Sequence, residues 1–221
     1  MSLLVDVDDT LVSTIKRTQG LWRHVLGCEV SEEEVKALTA QQIFERHATE
    51  EQRPKMRELQ RLFTDTMLCR NEEGLRLIEV DEPVPHAAQA LRDWEGPVVY
   101  ITGRLEHVRD ATMSQLRRFG FPLEGAELHM FREEDWRGGG LGDARRRMLE
   151  GILEKHRVLR VVDDFPGYFP VYKELGIPER IGLCRSRAHR PEDYFSKGAT
   201  RIVDSWRELA HREQKNPVPK G

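Results

Sequence analysis

The sequence predicts an α/β fold on a parallel sheet, with an all-helical module inserted early in the chain. Three observations predict it. Short apolar runs alternate with helical stretches along most of the length, the pattern of strand–helix–strand units. The first run is apolar at nearly every position rather than at every second one, as a strand covered on both faces must be. Finally, Thr10 and Thr102 lie 92 positions apart, whereas a whole strand–helix–strand unit needs only about 30 residues.

The elements follow in order. Residues 3–7 form the first strand, and the excess over 13–81 reads as helices. Ser31-Glu32-Glu33-Glu34 and Thr49-Glu50-Glu51-Gln52 have the pattern of capping boxes. The second opens a run through Met56, Leu59, Leu62, Phe63 and Met67 at helical spacing. Further strands are predicted at 97–101, 126–130, 158–162, 180–184 and 200–203. Between them, a helix over 105–119 stops at Gly120, one over 143–156 carries Met148, Leu149, Ile152 and Leu153, and one over 166–175 stops at Gly176. A last helix over 206–213 gives way to a polar tail, 214–221. Residues 1–12 and 82–213 thus make the parent domain and 13–81 the insert.

Composition excludes several classes of function. The 221 residues include 35 basic and 38 acidic ones, so no overall field points to nucleic acid or an anionic membrane. No apolar run approaches the roughly 20 residues that span a bilayer, and no basic-then-apolar leader opens the sequence. Cys28, Cys69 and Cys184 are too few and too scattered for a disulfide framework, which predicts reduced thiols in a cytoplasmic protein.

In open parallel sheets, ligands bind beyond the carboxyl ends of the strands, where strand order reverses. The first strand delivers Asp6, Asp8, Asp9 and Thr10 there, the second Thr102-Gly103-Arg104, and the fourth Asp163-Asp164. Carboxylates gather at one edge of an apolar sheet only where a cation or a reaction offsets their repulsion.

This ordered set resembles the haloacid dehalogenase-like (HAD) hydrolases. Asp6, Asp8 and Thr10 match the first motif, Thr102 the second and Asp163-Asp164 the fourth, while the insert falls where that family places a type 1 cap. The resemblance implies a Rossmann-like sheet of order 3-2-1-4-5 and a phosphatase acting on a small phosphomonoester. Asp6 is then the nucleophile that forms an aspartyl phosphate, and Asp8 protonates the leaving alcohol and later activates water. Mg²⁺ would be held by Asp6, the Asp8 backbone carbonyl and Asp164, with Asp163 as the other choice of ligand or as a helix cap. Thr102 and the Gly103 amide would bind phosphate, Thr102 also serving as a helix cap, and Arg104 is either a phosphate ligand or a solvated helix-start residue. An acid at the position of Asp8 argues against dehalogenation, since halide needs no protonation. The same residues would serve a phosphomutase or a catalytically silent phosphate-binding relative.

The third motif departs from the family's lysine. Lys155 lies near the end of its helix, away from the active edge, whereas Arg145, Arg146 and Arg147 lie at the near end. Three consecutive positions span about 200° of helix, so one or two point inward, and Arg146 is the choice made here. The glycine-rich stretch 138–142 lacks the lysine of a phosphate-binding loop and reads as a connector. The arginine-rich stretch 185–190 is either a phosphate rim or a solvated loop.

Overall fold

The computed structural model describes residues 1–137, 140–185 and 188–209. Six strands form one parallel sheet: β1 (Ser2–Asp6), β4 (Val98–Leu105), β5 (Glu127–Phe131), β6 (Val158–Asp163), β7 (Glu179–Leu183) and β8 (Arg201–Val203). Their spatial order is β5-β4-β1-β6-β7-β8. The predicted five-strand order is therefore extended by a sixth strand at one edge. Between these strands run α6 (Ala87–Arg92), α7 (Arg109–Arg118), α8 (Glu133–Arg137), α9 (Leu141–Leu153), α10 (Phe169–Glu174) and α11 (Pro191–Ser196).

β1 is central and buried at every residue. Its side chains alternate between two cores. Leu3 and Val5 pack on one face with Tyr100, Val162 and Trp206. Leu4 packs on the other with Ile101, Leu149, Ile152, Phe169 and Tyr172. Two apolar faces explain the unbroken apolar run that marked the strand in the sequence.

Five helices fill the long connection: α1 (Ile15–Leu26), α2 (Glu32–Ala37), α3 (Ala40–His47), α4 (Met56–Met67) and α5 (Glu72–Ile78). They enclose a core of their own in which the Trp22 ring centroid lies 4.9 Å from that of Phe44 and 4.5 Å from that of Phe63. A two-stranded antiparallel ladder, β2 (Val12–Ser13) with β3 (Glu82–Pro83), ties the two ends of this segment together.

The Ser31 capping box forms on α2. At Thr49 only the Gln52 side chain reaches back, and α4 begins at Met56 after a 3-10 turn over Arg53–Lys55. A second complete box, Thr39 with Gln42, opens α3 and has the same Thr-x-x-Gln pattern. Gly120 and Gly176 follow α7 and α10 with φ of +75° and +74°, the left-handed stops expected of them. The predicted helix from 105 starts later, because β4 continues through Leu105 and α7 opens only at Arg109. Positions 138–139 of the glycine-rich stretch, 186–187 of the arginine-rich stretch, the end of the last helix and the tail lie outside the described residues. Among the described residues no helix is long and apolar enough to cross a membrane.

Candidate active site

β1 sets the first group. Asp6 is its last residue, in register with Ile101 of β4. Beyond it the chain turns tightly: the Val7 carbonyl accepts the amides of Leu11 and Val12, and Asp9 takes a positive φ of 55°. Aspartate tolerates that conformation better than bulkier residues. Its carboxylate then accepts the Thr14 amide and hydroxyl at 2.9 and 2.7 Å, while the Trp206 indole donates to the Thr10 carbonyl at 2.8 Å. The loop bearing the acids is thus fixed from both sides.

Asp6 is buried and accepts a hydrogen bond from Nη2 of Arg145 at 2.7 Å. Arg145 stands in the first turns of α9, so the near end of that helix does face the acids, as its direction predicted. The expected residue, however, is corrected by one position. Arg146 points outward and pairs with Glu174, and Arg147 pairs with Asp135 at 3.0 Å. The cause is helical phase: Arg145 shares a face with Leu149 and Ile152, both fully buried against the sheet. Lys155 is exposed beyond the end of α9.

Arg145 lies against two aromatic rings. Its guanidinium carbon lies 4.1 Å from the Tyr168 ring centroid and 5.6 Å from that of Phe131. Among the described residues its Nε and Nη1 find no hydrogen-bond partner although they are buried. Such donors are costly to leave unpaired.

Two further acids close the group. Asp6, Asp163 and Asp164 each offer a carboxylate oxygen, and these oxygens lie within 4.8 Å of one another. Asp163 is tied at both oxygens, to the Phe165 amide at 2.7 Å and to the Tyr172 hydroxyl. Asp164 engages Oδ1 with the Thr10 hydroxyl at 3.0 Å. Burial raises the carboxyl pKa of all three. Asp163 and Asp8 push Asp6 further up against the pull of Arg145, while Asp9, Asp163 and Asp6 push up Asp164. One arginine does not balance three carboxylates. A hard divalent cation with oxygen ligands would, and the donor set fits Mg²⁺.

Asp8 belongs to a second group. Its carboxylate receives Nε and Nη2 of Arg104 at 3.0 and 2.8 Å, the Thr102 hydroxyl at 3.1 Å, and Nη2 of Arg17 from α1. Burial opposes ionisation of Asp8, but Arg104 and Arg17 outweigh it and hold the carboxyl well below the usual range. Both arginines also reach the buried Asp81, at 3.1 Å from Arg104 and 3.3 Å from Arg17.

Neither expected role of Arg104 survives. It is buried within β4, at a register shift between Thr102 and Leu105. That bulge turns its side chain onto Asp8, Asp81, Thr112 and Gln115, so Arg104 is neither solvated nor free to receive phosphate. Thr102 caps no helix; its hydroxyl also accepts the Arg104 amide within the strand. A Cβ at Gly103 would meet, among the described residues, no more than the Phe131 ring at 3.9 Å, an ordinary contact. Arg17 and Asp81 were not found from sequence. Each is a single charged residue with no motif around it, and only the fold brings them together.

No family model and no curated protein matches the chain. Solved structures do. A Clostridium difficile protein described as a presumptive phosphatase aligns with TM-score 0.69 at 14% identity, covering 96% of this chain and 97% of that one. A HAD family hydrolase from Deinococcus radiodurans, solved with bound phosphate and sodium, aligns at 0.63 and 15% identity over 100% and 98%. A Thermotoga maritima protein described as a presumptive beta-phosphoglucomutase aligns at 0.63 and 15% identity over 97% and 99%. The chain has the fold of the haloacid dehalogenase-like hydrolases, with the acidic motifs that resemble theirs gathered at one edge of the sheet.

Proposed function

We propose that the chain is a Mg²⁺-dependent phosphomonoesterase working through an aspartyl phosphate on Asp6. The observation that carries this reading is the Asp6–Arg145 pair with two acids beside it: a buried carboxylate, a guanidinium with two unpaired donors, and oxygens suited to a cation. Asp6 attacks phosphorus as the ester P–O bond breaks, and the leaving oxygen takes a proton from a solvent water beside the Asp8 carboxylate, leaving hydroxide. A second water then attacks phosphorus and passes its proton by way of Asp8 to that hydroxide, releasing inorganic phosphate and restoring Asp6 and Asp8. Arg145 steadies the charge on the phosphoryl oxygens. Asp6 and Asp164, with Asp163 beside them, would hold Mg²⁺, which would supply the neutralisation that lets a dianion approach a carboxylate. Thr102 and Gly103 border the phosphoryl position, and the helical segment over residues 13–81 acts as a cap that excludes water. The three free cysteines suit a reducing cytoplasm.

Turnover of p-nitrophenyl phosphate with Mg²⁺, compared with Asp6→Asn, tests this reading. Activity lost in the variant and stopped by chelator supports it; none in the wild type, with Mg²⁺ present, sinks it. A phosphomutase would instead return the phosphoryl group to its substrate, so release of inorganic phosphate separates the two.

A further inference from the structure

Asp8 opens onto a cavity of about 320 Å³ between the end of β4 and the helical segment. Its wall is mostly hydrocarbon, supplied by Leu21, Leu68, Leu77 and Val108, with hydroxyls from Thr18 and Thr66. The charged residues on that wall are Asp8, Arg17 and Arg104. Both arginines are already committed. Each pairs with Asp8 and with Asp81, whose side chain has no exposure at all. Two positive and two negative charges cancel, so the wall holds no spare cation.

That balance restricts what can enter. A leaving group bearing a carboxylate or a second phosphate would have to draw Arg17 or Arg104 away, stripping a buried aspartate of its counter-charge. Breaking such pairs is strongly unfavourable. An uncharged hydrocarbon chain displaces nothing and covers apolar wall. Building on the phosphomonoesterase reading, we infer that the substrate is the phosphate ester of a small, uncharged, largely apolar alcohol, with its hydrocarbon in this cavity and its ester oxygen at Asp8. The volume sits at the low end for a small-molecule site, of order 300–1,000 Å³, which limits the alcohol to a few carbons or a single ring.

The test uses a matched pair, n-butyl phosphate and 4-phosphooxybutanoate, which share a primary-alkoxide leaving group and differ in a terminal carboxylate. With Mg²⁺ present, kcat/KM for the butyl ester should exceed that for the carboxylate by about tenfold or more. Binding of n-butylphosphonate and 4-phosphonobutanoate, followed by calorimetry with Mg²⁺, reads the same preference without turnover. Met67 lines the cavity and is 40% exposed, so Met67→Arg should fold and place an uncommitted cation there. The variant should cut the preference at least about fivefold.

A wild-type preference for the carboxylate compound, equal affinity for the two phosphonates, or binding of neither overturns the inference. No turnover of either ester, with the phosphonate preference intact, would sink the hydrolase reading and leave the cavity assignment standing.

Discussion

Two aspartates separated by one residue sit in opposite electrostatic surroundings. Around Asp6, three carboxylates face one arginine, and burial together with like charge lifts their pKa values. Around Asp8, two carboxylates face two arginines, and the carboxyl is driven down. Burial acts at both sites: at Asp8 the two arginines outweigh it, whereas Asp81, which shares them, is still pushed up by burial to about 6. The first group carries an excess of negative charge, whereas the second is balanced in formal charge.

The sharpest way to break this comparison is to remove the charge at Asp6. Asp6→Asn keeps the shape and deletes the proposed nucleophile, so turnover of p-nitrophenyl phosphate should fall by at least about 10³-fold. Thermal unfolding should show no loss of stability, because a like-charge repulsion is relieved. Next comes the counter-charge. Arg145→Ala should lower kcat by about 10²–10³-fold, and Arg145→Lys should recover only part of this, since an ammonium lacks the planar fork lodged between Tyr168 and Phe131. Arg146→Ala and Lys155→Ala should stay within about threefold of wild type, as changes at exposed sites generally do. Steady-state kinetics on the four variants decides between Arg145 and its neighbours.

In the balanced group the effect should appear as stability. Arg104→Ala strips Asp8 and Asp81 of a shared partner and should cost about 3 kcal/mol or more in urea unfolding. A solvated arginine would cost far less. The smallest effect expected is a pH-dependent gain from metal. The acids around Asp6 have raised folded pKa values, so without metal their contribution to stability is present below the unfolded value of about 3.9 and fades as pH rises through the folded values. Mg²⁺ binds the ionised form. It should therefore raise Tm at pH 7.5 by up to the equivalent of about 2.7 kcal/mol at a hundredfold excess over Kd, and by much less at pH 5. Asp164→Asn should abolish most of that gain, and Ca²⁺ should restore turnover poorly in the chelated wild-type protein.

Much of the sheet was legible because strands covered on both faces write themselves as apolar runs, as residues 3–7 and 158–162 do. The acids were legible because a parallel sheet delivers its strand ends to one edge, so Asp6 and Asp163-Asp164 meet whatever lies between them. The arginine was not. Neighbouring helix positions differ by about 100°, and choosing among three arginines needs the phase that Leu149 and Ile152 set against the sheet. Arg104 was misread for a different reason. Its partners Asp81 and Gln115 come from distant parts of the chain, and the bulge that aims it has no signature in Thr102-Gly103-Arg104 beyond the glycine. Arg17 and Asp81 left no local trace because their pairing exists only after the helical segment docks.

The short ladder of β2 with β3 has a consequence for how such a protein can change. Val12 pairs with Pro83 and Ser13 with Glu82, so some seventy residues leave the parent fold and rejoin it at neighbouring points. Chain ends held side by side are what makes domain insertion tolerable. The segment between them could be exchanged for another of different shape by two splices, at 13 and 82, without altering the path of any strand in the sheet. Arg17 and Asp81 would leave with it as a pair. Asp8 and Arg104 would stay behind, equal in charge, so a transplant must face them with positive and negative groups in equal number, which makes charge parity the compatibility rule for recombining this scaffold.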